Sequence, residues 1–121
     1  MILVDTSVWI DHLRKGDIGL RKLLETGQVL SHPCVIGELA MGNLQQRNVV
    51  LNALHGLPKA TVARDDEVLQ FISNRGLFGL GLGYSDAHLL ASVKITPGAL
   101  LWTRDKRLFA AAAKLSLAFM A

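Results

Sequence analysis

Two unbroken apolar runs frame the chain, one at its start and one near its end. Met1-Ile2-Leu3-Val4 stops at Asp5, and Ala99-Leu100-Leu101-Trp102-Thr103 is followed after Arg104 by Asp105. A short continuous apolar run predicts a strand buried on both faces, whereas a half-buried strand alternates. Strands are therefore expected at 2–4 and 99–103, with a second candidate at Val29-Leu30 and further ones at 60–63 and 117–120. Between them the period lengthens to that of helices. Thr6 or Ser7 offers an N-cap for a helix through about residue 13. Ile18, Leu20, Leu23 and Leu24 mark an amphipathic helix stopped by Gly27, and Pro33 suits the first turn of a helix carrying Val35, Ile36, Leu39 and Ala40. A helix is expected at 45–54, ended by His55-Gly56-Leu57-Pro58. Asp65-Asp66-Glu67 then opens a helix holding Val68, Leu69, Phe71 and Ile72, where the helix dipole favours negative charge. A glycine-punctuated loop at 75–83 leads to helices at 84–94 and 108–115. Strands alternating with helices over short connections predict the α/β class, with a mainly parallel sheet covered on both faces. No repeat, linker or low-complexity tract divides the sequence, so residues 1–121 read as a single domain.

Composition narrows this picture. At 121 residues the chain can bury a real core. Half of its residues are hydrophobic and the mean hydropathy is +0.33, a surplus that points to a subunit interface or bound partner. A net charge of +3 permits a polyanionic partner without establishing one. The lone Cys34 has no disulfide mate and reads as a small core filler. The four histidines, His12, His32, His55 and His88, show no metal-ligand spacing. The N-terminus lacks a basic segment before its apolar start, and Lys114 interrupts the apolar C-terminus. The expectation is a cytoplasmic protein with no membrane segment.

Four acids stand at places a soluble chain rarely gives to acids: Asp5, Glu38, Asp86 and Asp105. Asp5 and Asp105 follow the two apolar runs, where α/β sheets place their sites beyond the carboxyl ends of strands. Asp86 precedes Leu89, Leu90 and Val93 on an inward helix face, and Glu38 shares its face with Cys34 and Gly42. Each has a plainer reading alone: a turn for Asp5 or Asp105, a helix cap for Asp86, an arginine partner for Glu38. Together they suggest one cleft for a hard divalent cation, Mg²⁺ or Mn²⁺, and hence chemistry on a phosphate. Thr6 or Ser7 is placed to bond Asp5, and Thr103 to bond Asp105. Arg104, Lys106 and Arg107 are candidate contacts for backbone phosphates beside that cleft, against the competing reading of a solvated charged turn.

Val4-Asp5-Thr6-Ser7-Val8-Trp9, Gly37-Glu38-Leu39, Gly83-Tyr84-Ser85-Asp86-Ala87 and Thr103-Arg104-Asp105-Lys106-Arg107-Leu108 resemble, in order and spacing, the PIN-domain ribonucleases. Within them the chain is most similar to the VapC toxins of toxin–antitoxin pairs. The resemblance implies a three-layer α/β/α PIN-like domain acting as a Mg²⁺- or Mn²⁺-dependent endoribonuclease. Asp5, Glu38, Asp86 and Asp105 would be its catalytic acids, with Asp5, Asp86 and Asp105 nearest the metal and Glu38 acting through water. Thr6, Ser7 and Thr103 would support them. It also implies a homodimer and a VapB-type antitoxin that places an arginine in the acidic pocket. Residues 43–83 carry no family motif.

Other readings fit less well. A haloacid-dehalogenase phosphatase needs a second Asp two residues after the first, and position 7 is Ser. A receiver domain needs an adjacent acidic pair and a late lysine. Gly79, Gly81 and Gly83 follow a helix rather than a strand, unlike a dinucleotide fingerprint. A catalytically silent PIN-like module that binds RNA or protein stays as the alternative from a different class.

Overall fold

The first apolar run becomes the centre of the sheet. In the computed structural model, which describes residues 1–121, β1 (Ile2–Val4) lies between β2 (Val29–Leu30) and β3 (Leu100–Trp102), all parallel. Ile2 pairs with Val29 on one side and with Leu100 on the other; Val4 pairs with Trp102. Nearly every strand side chain is buried, which is why these segments are continuous rather than alternating in hydrophobicity.

The helices flank this sheet. α1 (Thr6–Lys15) and α2 (Ile18–Glu25) carry the chain from β1 to β2. α3 (Pro33–Met41), α4 (Arg47–His55), α5 (Asp65–Arg75) and α6 (Tyr84–Ile95) intervene before β3, and α7 (Lys106–Lys114) follows it. α6 is buried from Ala87 through Val93 and packs against α3, α5 and β3. Leu3, Val4, Val8, Leu20, Leu89 and Leu101 are wholly enclosed, each contributing roughly 1.5–3 kcal/mol of burial. The chain therefore runs from the central strand to one edge, then returns to the other. In α/β sheets such a reversal is where sites form, and here it falls at the carboxyl ends of β1 and β3, next to Asp5 and Asp105.

The strand expected at 117–120 contracts to a single parallel bridge, Leu101↔Ala118, and the one expected at 60–63 does not form, a lone bridge Ser31↔Lys59 lying just before it. At 60–63 the reason is local. Thr61 N–H donates to Thr96 Oγ1 and Ala63 N–H to Ser92 Oγ, so ladder donors are diverted to α6 side chains. At the other edge, Leu117 C=O and Phe119 N–H bond Leu101 and hold the C-terminal segment beside β3. Helix limits shift slightly for identifiable reasons. α4 starts at Arg47 because Gln46 takes a left-handed conformation (φ 51°). α7 starts at Lys106 because the Asp105 carboxylate accepts Leu108 N–H and caps it. In the glycine loop, Gly81 has φ +78°, and the Arg107 guanidinium lies so close that a Cβ there would sit 2.4 Å from Nη1. No helix is long and apolar enough to cross a membrane.

Candidate active site

Asp5 occupies the N-cap position of α1, yet its side chain does not cap the helix. Its backbone does the structural work: the N–H donates to Trp102 C=O at 2.9 Å, and the C=O accepts from Val8 and Trp9 N–H. The carboxylate turns away instead. Its Oδ2 accepts from Ser7 Oγ at 2.7 Å and Thr103 Oγ1 at 2.8 Å. An Asp released from capping and held by two hydroxyls in a residue only 6% exposed is positioned for something else.

The hydroxyls divide their work differently from the sequence expectation. Thr6 bonds Glu38 rather than Asp5, donating to Oε1 at 2.9 Å and tying α1 to α3. Thr103 donates to Asp5 and accepts Asp105 N–H at 3.1 Å, so it links the two strand ends instead of bonding the Asp105 side chain. Ser7 Oγ also accepts Arg104 N–H at 3.0 Å. Asp86, in the first turn of α6, takes Gly83 N–H on Oδ2 at 3.1 Å. Asp105 takes Leu108 N–H on Oδ1 at 2.9 Å. Asp86 and Asp105 thus each give one oxygen to a backbone N–H at a helix start and leave the other oxygen without a partner.

A single rule covers all four carboxylates. One oxygen is anchored to the protein, while Oδ1 of Asp5, Oε2 of Glu38, Oδ1 of Asp86 and Oδ2 of Asp105 accept no hydrogen bond. None of the four forms an ion pair with a lysine or arginine of the chain. Burial pushes the Asp86 carboxyl above the usual carboxylate range, and the negative charges of Asp5 and Asp105 push it further, against the Gly83 hydrogen bond. Asp5, Asp86 and Asp105 therefore share one electrostatic field. An anionic, all-oxygen donor set with free lone pairs fits a hard divalent cation. These oxygens are not packed as a tight cage, which suits an ion that keeps part of its water shell.

The basic residues separate into two groups. Arg104 donates to Asp11 at 2.7 Å and to Asp17, and lies over the Trp102 ring at 5.6 Å. It braces α1 and the start of α2 against the turn after β3, which leaves it poorly placed for RNA. Lys106 and Arg107 are exposed beside Asp105 and make no ion pair. Asp17 also caps α2 by accepting Leu20 N–H.

The sequence matches the PIN domain family over residues 2–115. The chain belongs to the PIN-domain family. Among curated proteins, Ribonuclease VapC32 from two strains of Mycobacterium tuberculosis, CDC 1551 / Oshkosh and ATCC 25618 / H37Rv, is 53% identical over 118 residues. That alignment spans 98% of this chain and 95% of the relative. The parallel sheet flanked by helices is accordingly a PIN fold.

This PIN domain also contains a grouping that no sequence spacing announced. His32, Cys34 and His88 each bring a ligand atom to within 4.8 Å of the others. Burial pushes His32 down to about 4, with His88 adding to the effect, so the ring is neutral near pH 7. His88 Nε2 faces Asp65 Oδ1 at 2.9 Å, and Tyr84 donates to the same oxygen. The four histidines show no metal-ligand spacing in the sequence, yet two of them meet Cys34 here. The residues meet only because α3, α5 and α6 pack together.

Proposed function

We propose that this PIN domain is a VapC-type endoribonuclease, the toxin of a toxin–antitoxin module. The observation that carries the reading is the set of four acids, each anchored through one oxygen and presenting the other, with no internal cation to neutralise them. Relatives 53% identical over nearly their whole length bear the name of a ribonuclease.

Asp5, Asp86 and Asp105 would hold Mg²⁺ or Mn²⁺. Such an ion supplies positive charge to the phosphate oxygens and makes water more acidic. Ser7 and Thr103 fix the Asp5 carboxylate, so its free oxygen keeps one direction. Glu38, oriented by Thr6, or Asp105 accepts the proton of the attacking water. The new bond joins water oxygen to phosphorus while the bond from phosphorus to the ribose 3′ oxygen breaks. The products carry 5′-phosphate and 3′-hydroxyl ends. Lys106 and Arg107 bind flanking phosphates.

A groove of about 460 Å³ beside Glu38, walled by Ile10, Leu13, Leu39, Leu44 and Val50, fits an apolar segment of a VapB-type antitoxin. An arginine from that segment pairs with the free carboxylate oxygens in place of metal charge. Exposed Phe78, Leu80 and Leu69 supply apolar surface for a homodimer. A cytoplasmic location is the reading that accompanies an RNA substrate.

The test is cleavage of structured RNA with Mg²⁺ or Mn²⁺, using EDTA and Asp5→Asn as controls and sequencing the ends. Loss of cleavage in both controls, with 5′-phosphate ends, supports the proposal. Activity indifferent to either control, or 2′,3′-cyclic phosphate ends, would refute it. Absence of cleavage on every RNA tried favours the silent binding module.

A further inference from the structure

α3 and α6 bring together three side chains that the phosphodiester chemistry does not use. His32 caps α3 and Cys34 lies in its first turn, while His88 is buried along α6. One ligand atom from each lies within 4.8 Å of the other two.

The protonation of both rings follows from their partners. His88 Nε2 is 2.9 Å from a carboxylate oxygen of Asp65, which can only accept, so Nε2 carries the proton. Its Nδ1 is left with a lone pair. That atom is sealed from solvent and has no hydrogen-bond partner, in a residue only 9% exposed. A buried polar atom without a partner calls for an occupant. His32 is arranged in the same sense. Its Nδ1 accepts Cys34 N–H at 3.0 Å, so Nε2 carries the proton and donates to Ser92 Oγ at 2.9 Å. Each ring thus has its far nitrogen fixed on an oxygen, the outer-shell pattern that orients histidines toward metals.

We propose that His32 Nδ1, Cys34 Sγ and His88 Nδ1 form a site for a borderline-soft divalent cation of the zinc class, with water as a fourth ligand. Binding forms one metal–sulfur and two metal–nitrogen bonds. The Cys34 thiol proton passes to solvent, and His32 Nδ1 exchanges the Cys34 N–H for the ion. Cys34 is half-buried, which gives the ion a way in. Asp65 and Glu38 lie close enough for their negative charge to act on the thiol, and the same field attracts a cation. Ligand softness separates this nitrogen–sulfur set from the all-oxygen set of the acids. Glu38 stands one helical turn beyond Cys34 and Asp86 two residues before His88, so an ion here staples the two helices that carry two of the acids.

Co²⁺ is the probe, because a thiolate–cobalt bond gives near-ultraviolet charge-transfer absorption and tetrahedral visible bands. The expected result is a bound Co²⁺ showing both features, displaced by Zn²⁺, in the wild type and with equal intensity in Asp5→Asn, any Co²⁺ held by the acids adding neither. Cys34→Ser abolishes the charge-transfer band. In parallel, Zn²⁺ slows alkylation of Cys34 by iodoacetamide at least about tenfold in Asp5→Asn, because the metal-held sulfur is no longer free to attack, and this protection disappears in His88→Gln. Should Cys34→Ser fail to fold, the wild-type spectrum and the alkylation series still decide. A wild-type spectrum without the charge-transfer band overturns the proposal, as does protection that persists in His88→Gln.

Discussion

Replacing Thr103 with valine removes one hydroxyl and almost no volume, at the point where the two strand ends meet. That hydroxyl donates to Asp5 Oδ2 at 2.8 Å and accepts Asp105 N–H at 3.1 Å, in a residue only 5% exposed. Valine fills the same space, so no cavity term arises. A hydrogen bond to a charged group contributes about 1.5–3 kcal/mol, and about 2 kcal/mol is the expected loss of stability. With an ordinary urea dependence this moves the midpoint by roughly 1 M. Asp5 retains only Ser7 and can swing. Loss of an outer partner of a metal-holding side chain costs about 10–100-fold in affinity or activity, so kcat on RNA falls in that range. Thr103→Ser keeps the hydroxyl and gives up one methyl, about 0.8 kcal/mol, and recovers most of the rate. The measurements are urea unfolding and initial cleavage rates at saturating metal for the three proteins. A valine variant that cleaves at the wild-type rate, or a serine variant as slow as valine, defeats the claim that this hydroxyl positions Asp5.

Asp86→Asn removes a charge that burial and two neighbouring carboxylates disfavour. It should abolish cleavage while leaving the thermal midpoint of metal-free protein equal or higher, and a clearly lower midpoint counts against charge crowding. The raised pKa belongs to the metal-free protein, so metal binding weakens on acidification from a higher pH than an ordinary carboxylate would give, as a metal titration against pH checks. His32 gives the opposite case, a pKa lowered from 6.5 to about 4 by burial. Its stabilisation is full above pH 6.5 and is lost as pH falls toward about 4, amounting to about 3 kcal/mol by linkage. Urea titrations in EDTA at pH 7 and pH 4 should show the stability gap between wild type and His32→Asn narrowing by that amount. Arg104→Ala should cost about 1 kcal/mol through Asp11 and Asp17 without changing the KM for RNA. Neutralising Lys106 and Arg107 together should raise KM and flatten its logarithmic salt dependence by about 1.4.

The parts of this fold that were legible in the sequence are those whose physics is local. β1 and β3 announce themselves because strands buried on both faces must be apolar throughout. Asp5 and Asp105 are then conspicuous by position alone. The single-bridge edges at Lys59 and Ala118 are less visible, since what limits the first is a pair of hydroxyls on α6 rather than anything in the segment itself. The same limit applies to function. The pairing of Arg104 with Asp11 and Asp17 was not visible beside the candidate phosphate contacts, because those partners come from the other end of the chain. His32, Cys34 and His88 belong to no spacing motif, and only the packing of α3 against α6 makes them neighbours. Asp86 shows that a bond to a helix-start N–H leaves the second oxygen of a carboxylate free for another use.

The anchored half of each acid has an evolutionary consequence. An asparagine or glutamine carbonyl can accept the same bond from Thr6, Ser7, Thr103, Gly83 or Leu108, so the amide sits where the acid sat and shields the backbone from the change. Descendants that lose their killing power by such a step keep an intact body and the apolar groove beside Glu38, and give up only the arginine's bond to the substituted group. A silenced copy in a genome would then act as a decoy rather than as debris.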